Sequence, residues 1–218
     1  MGIRNLLLAG AVVSLALVNH AAHAQADLSP RVVGPDKSMD ERIAARMAEK
    51  QKGGIMIDAA ITNAETGVVR CEIMEVGIAS SDGSRPILFD VSSWSFGTFK
   101  PRANVLYLSP GEYRVSSVRC RTSTRMVFTG PHARFSVRAG EVADLGQLNL
   151  KFATKRDEGL FTTTGTGALE KSVGSASPEV RAHRKERMPK TMARAVARHM
   201  TIIGPAKVGI KTKQKYGY

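Results

Sequence analysis

Between Ile55 and Phe152 the apolar residues recur at every second position, and turn formers interrupt them. Ile55, Ile57, Ala59 and Ile61 alternate with Met56, Asp58, Ala60 and Thr62. Leu148, Leu150 and Phe152 alternate with Gln147, Asn149 and Lys151. A side-chain period of two belongs to strands. Asn63 to Gly67, Asp82-Gly83 and Ser109-Pro110-Gly111-Glu112 supply the turn chemistry. Roughly seven to nine short runs fit into about 100 residues, the spacing of an antiparallel sandwich or barrel. The apolar set changes parity between Ile73 and Met74, which predicts a bulge there or a buried strand end. No helix-length pattern separates the runs, which argues against parallel βαβ units. The expectation is an all-β protein, an antiparallel β-sandwich over 54–153.

The flanks differ from this centre. In 1–24, Arg4 precedes the apolar run Leu6 to Val18, and Ala22-His23-Ala24 offers small residues two positions apart. That is the layout of a cleavable signal peptide, with a run too short for the roughly 20 residues of a membrane span. The expected location is periplasmic or secreted, with no transmembrane segment after cleavage near Ala24. Residues 25–53 are expected as a lead-in and a short helix. Ser38 and Glu41 form a capping box for it, Ile43, Ala44 and Met47 give one apolar stripe, and Gly53-Gly54 stops it. Residues 154–176 are rich in Thr, Gly and Ser and read as a linker, with an extra strand at Leu160 to Thr164 as an option. Residues 177–218 read as a basic helical tail. Ser177 and Pro178 open it, Pro189 interrupts it, and Met188, Met192, Val196 and Met200 recur every fourth residue.

Charge concentrates at that end. From Lys171 to Tyr218 there are 12 Lys or Arg against 2 acids, a net of +10 out of +13 for the whole chain. The two cysteines, Cys71 and Cys120, fall in strand-like segments. In an exported chain an even pair reads as one disulfide, and the other reading is two buried thiols. A catalytic thiol has no His spacing to support it.

Two segments carry a family resemblance: Leu108-Ser109-Pro110-Gly111-Glu112-Tyr113-Arg114-Val115, and Phe135-Ser136-Val137-Arg138-Ala139-Gly140-Glu141-Val142 followed by Leu145-Gly146. Together they resemble uncharacterised bacterial envelope proteins with a prealbumin-like (carboxypeptidase-regulatory-like) β-sandwich. The resemblance spans Val105 to Leu150. It implies the sandwich fold and the envelope location, and no activity. Many such proteins are lipoproteins, whereas this chain has no cysteine near the cleavage site.

Three candidate sites follow. The loop around Trp94, Phe96, Phe99, Lys100 and Arg102 combines aromatics with cations. It reads as a platform for a sugar ring or a wedge into a lipid interface, or else as a plug for the open end of the sandwich. Arg181, Arg184, Arg187, Lys190, Arg194 and Arg198 read as an anion-binding surface beside the Met stripe. Their expected partners are an anionic envelope lipid or polymer, or an acidic protein, through peripheral contact; nucleic acid fits the charge but not the compartment. The other reading is a solvated helix packed on the sandwich. For catalysis, His132 follows Gly130-Pro131 and reads as an exposed loop residue, and no metal-ligand, cofactor or nucleophile pattern is expected. The sequence thus points to a non-enzymatic binding or scaffolding protein of the cell envelope. The alternatives are a carbohydrate-binding module using Trp94, and a small envelope hydrolase.

Overall fold

The capping box at Ser38 is formed in the computed structural model, which describes residues 38–83, 85–95, 97–122, 124–153, 165–204 and 207–214. The Ser38 hydroxyl accepts from Glu41 N, and the Glu41 carboxylate accepts from Ser38 N. Helix α1 (Met39–Lys50) ends on Gln51 in the left-handed conformation, φ 45°, two residues before the glycines expected to stop it. The leader and the lead-in up to residue 37, and Phe96, lie outside the described residues.

Among the described residues, thirteen strands and two further helices follow. They are β1 (Gly53–Asn63), β2 (Gly67–Val68), β3 (Ile73–Ser80), β4 (Ile87–Ser95), β5 (Thr98–Pro101), β6 (Leu106–Leu108), β7 (Gly111–Arg121), β8 (Thr124–Val137) and β9 (Val142–Phe152). After these come β10 (Gly165–Gly174), α2 (Pro178–Arg187), α3 (Pro189–Arg194), β11 (Val196–Ala197), β12 (Thr201–Ile202) and β13 (Lys207–Gln214). One sheet holds β2-β1-β9-β10, with β6 also on β1 and β11 also on β9. The other holds β13-β8-β7-β3-β4-β5, with β12 also on β8. β10 belongs to both: Leu169–Gly174 pairs with β9 and Gly165–Ala168 pairs with β13.

The two sheets face each other across one apolar core. Ile55, Ile57, Ile61, Leu148 and Leu150 meet Val76, Ile78, Val118 and Phe128 there. The alternate residues of β1 are buried too, because the helices cover the outer face of the first sheet. Met56 packs with Ile43 of α1 and with Met188, between α2 and α3. β1 is therefore a central strand buried on both faces, although its sequence alternates.

The expected all-β sandwich is present, with one correction to its pairing. β1 and β9 run parallel, as do β9 and β11. Side-chain parity is identical in parallel and antiparallel strands, so alternation could not reveal this. The long connection that a parallel pair needs is supplied by the strands of the second sheet rather than by a helix. The bulge expected at Ile73-Met74 is not on that strand: β3 keeps its register against β7 from Ile73 to Gly77, and the shift between Met74 and Glu75 places the extra residue, Val91, on β4, so the parity change falls where β3 begins.

The second half of the chain departs further from expectation. The stretch read as a linker contains β10; Leu160 to Thr164 lies outside the described residues. The segment read as a helical tail is helical only to Arg194. Ala195 turns extended (ψ 132°), Val196-Ala197 pair with Ala143-Asp144, and Met200 enters the sandwich core. Asp36–Tyr218 forms one compact unit, so these residues are built into the body rather than appended to it. The Met stripe reflected burial, but part of it is met by strands instead of one helical face.

His132 is likewise not an exposed loop residue. Gly130, Pro131 and His132 on β8 stand opposite Ser116 alone on β7, and this bulge turns the imidazole inward to 0 % exposure. Its Nε2 lies 3.0 Å from Phe128 O, which makes Nε2 the protonated nitrogen, and Nδ1 has no partner. Burial, assisted by the charge of Lys171, lowers its pKa from 6.5, against the pull of the Phe128 bond. The unfolded chain then binds a proton more readily than the folded one. Stability is expected to fall as pH drops below about 6.5, by up to about 1.4 kcal/mol per pH unit. Melting at pH 7.5 and pH 5 tests this: the drop should be smaller in His132→Leu than in the parent, and an equal drop in both would refute it.

Candidate functional site

Helix α2 starts at Ser177, whose hydroxyl accepts from Val180 N, and Glu179 sits in its first turn. The helix turns Val180 and Arg184 onto the first sheet. The register shift between Met56 and Asp58 leaves Ile57 without a partner on β9, and Arg184 Nη2 donates to Ile57 O at 2.9 Å. Arg184 Nη1 is 3.8 Å from Asp144 Oδ1. Arg184 is 1 % exposed, so this member of the expected anion-binding set faces the interior.

Asp58 is also 1 % exposed. Its Oδ1 accepts from Ala59 N at 2.8 Å and its Oδ2 from Gln147 Nε2 at 2.7 Å. Burial pushes its carboxyl above the ordinary value; the bonds from Gln147 and Ala59 and the Arg184 charge oppose that. Gln147 is placed by Gly146, whose left-handed φ of 74° and contact with Gly174 O exclude a side chain. The Asp144 carboxylate fixes that turn by accepting from Gly146 N.

Asp58 and Gln147 form one wall of a cleft of about 640 Å³. Ser177 and Glu179 extend this wall, and Trp94, Phe99 and Arg70 line the cleft as well. Trp94 and Phe99 are opposed across the β4–β5 hairpin with ring centroids 6.2 Å apart. The Arg70 guanidinium lies over the Trp94 ring, 4.5 Å from its centroid, in cation–π geometry. The Glu179 carboxyl is held below its ordinary value by its own backbone N–H and by Ser177. The cleft therefore offers aromatic surface, one amide, one exposed carboxylate and one guanidinium. Both Asp58 oxygens already accept bonds from the protein, so Asp58 orients Gln147 instead of reaching a ligand. No hydrogen bond joins a histidine to a carboxylate among the described residues. Nor do they contain a cluster of three His, Cys, Asp or Glu able to hold a metal ion.

The segment expected as an aromatic loop is thus a hairpin, and it divides its residues. Trp94 and Phe99 enter the cleft, whereas Lys100 and Arg102 line a neighbouring crevice with Phe99. The six expected anion-binding cations are divided as well. Arg181, Arg187, Lys190 and Arg194 are exposed. Arg198 holds Glu141 in two bonds, Nε to Oε1 at 2.9 Å and Nη2 to Oε2 at 2.8 Å. That pairing draws the Glu141 carboxyl below its ordinary value. α3 begins without a side-chain cap of its own, and Asp40 of α1 accepts from Lys190 N and Thr191 N in its place.

Cys71 and Cys120 form a disulfide. Tyr113, the aromatic of the Leu108–Tyr113 motif, donates its hydroxyl to Ser109 O at 2.9 Å and stacks on Phe135, so it ties the β6–β7 turn. Sequence reasoning does not single out Arg70, Asp58 or Gln147. Asp58 carries a signal, a lone carboxylate inside an apolar strand; Arg70 and Gln147 carry none. Among the described residues no helix is long and apolar enough to cross a membrane. No family model, no curated protein and no solved structure matches this chain.

Proposed function

We propose that the protein is a non-enzymatic binding protein of the cell envelope that holds a glycan unit in the cleft beside Trp94. One observation carries the reading: two aromatic rings and the Gln147 amide, held from behind by Asp58, line one concavity. A sugar ring has an apolar face that rests on aromatic carbon and a rim of hydroxyls that pair with amides and carboxylates, the usual makeup of a small-molecule site. The disulfide supports an oxidising compartment outside the cytoplasm. The sandwich behind the cleft is a rigid body, which reduces the ordering cost of binding.

Glycan-array binding of the full chain tests the reading. Trp94→Ala is expected to weaken every hit by at least about tenfold, roughly 1.4 kcal/mol. Trp94→Phe should retain most of the affinity. Trp94 is only half-buried, so melting of the alanine variant should stay near that of the parent. An array without hits, or hits indifferent to Trp94→Ala, would remove the cleft from consideration.

A further inference from the structure

We infer that the glycan recognised is anionic, its carboxylate or phosphate taken by the crevice next to the Trp94 cleft; this rests on the cleft being a glycan site. Phe99 lines both cavities, so the two adjoin at that ring, and a ligand of more than one sugar unit lying over it would reach both. The crevice is about 560 Å³. Lys100 and Arg102 from β5 and the residue after it face His183 and Arg187 from α2 across it. Glu186 is the carboxylate in its lining, against three permanent cations.

None of Lys100, Arg102 or Arg187 is in an ion pair among the described residues. Three cations elsewhere are paired within the fold. Arg184 is buried toward Asp144, Arg198 is held by Glu141, and Lys151 is paired with Glu170. The crevice therefore gathers positive side chains whose charge is not consumed inside the fold. Two separate elements supply them, so the arrangement is a convergent site instead of one cationic helix face. Guanidinium groups bind carboxylate and phosphate oxygens through paired N–H donors, which a neutral sugar hydroxyl cannot match in strength. Met39, Pro101 and Ala103 complete the lining.

Calorimetric titration of the full chain with three probes tests the inference: a galacturonic acid trimer, a neutral galactose trimer and glucose 6-phosphate. At low salt the galacturonic acid trimer is expected to bind about tenfold tighter than the galactose trimer. The gap should narrow at high salt, because exposed charges are screened. Glucose 6-phosphate shows whether a phosphate replaces the carboxylate. The double variant Lys100→Ala, Arg102→Ala should close the gap while leaving galactose trimer binding unchanged. Trp94→Ala should weaken both trimers. Equal affinity for the two trimers in the parent overturns the anionic preference and leaves the cleft reading intact. A preference that survives the double variant overturns the assignment to this crevice. If no sugar binds, but vesicles containing phosphatidylglycerol bind and the double variant loses them, the site is a membrane contact and both readings fall.

Discussion

Arg184→Ala is expected to lower the unfolding free energy by about 3–5 kcal/mol, the typical cost of removing one member of a buried charged group. Three losses act together. Ile57 O loses its donor, Asp58 and Asp144 lose the positive charge near them, and a large side chain that is 1 % exposed leaves a void. Arg184 Nε and Nη1 have no hydrogen-bond partner, so the residue is not an optimal solution to its own burial. That makes a second variant informative. Arg184→Met restores much of the volume but leaves the carboxylates uncompensated. Adding Asp58→Asn and Asp144→Asn to it should recover most of the loss. Denaturant titrations of the alanine, methionine and triple variants check the series. A loss below about 1 kcal/mol for Arg184→Ala would show that the cluster is not coupled as its geometry implies.

Removing the disulfide by Cys71→Ala together with Cys120→Ala is expected to cost about 4 kcal/mol. The bond closes a loop with a sequence separation of 49, and the entropy that such a cross-link removes from the unfolded chain is of this size. For a chain of this length the melting temperature should fall by roughly 10 °C. The cysteines are buried, Cys71 at 5 % and Cys120 at 0 %, and the loop between them spans β3 to β6 and nearly all of β7. The Trp94 hairpin lies inside that loop, and Cys71 itself lines the cleft. Dithiothreitol added to the parent should reproduce the effect of the double variant. A parent protein whose melting is unchanged by full reduction would contradict the assignment.

The readable parts of the sequence are those governed by neighbours along the chain. Ser38 with Glu41 announces a helix start, and Asp82-Gly83 announces the β3–β4 turn, where Gly83 takes φ 86° and donates to Ser80 O. Alternation over β1 and β9 announces strands, whereas the parity change at Ile73-Met74 marks only the start of β3, the bulge beside it lying on β4 at Val91. The pairing direction of β1 and β9 is not readable, because it depends on a return path through the whole second sheet. The fate of the fourfold spacing from Met188 to Met200 is equally hidden: Met188 and Met192 pack with the helices, whereas Met200 packs in a core built by strands. Trp94 and Phe99 can be placed together from one short segment. Asp58 and Gln147 meet from positions 89 residues apart, through a register that only the assembled sheet sets.

The strand shared by both sheets has a consequence for how the molecule behaves at high concentration. Because β10 continues one sheet into the other, the path of paired strands among the described residues ends at β2, with β6 on the same side of β1, and at β5. Unpaired backbone at such flanks is where chains template onto one another and polymerise. β2 is 2 residues long and β6 is 3, while β5 is 4 residues long, bearing Lys100 and ending in Pro101. Short length, a cation and a proline each oppose strand addition at those three strands, whereas the first half of β4, which β5 does not cover and which exposes Ile87 and Leu88, is the edge left open to it.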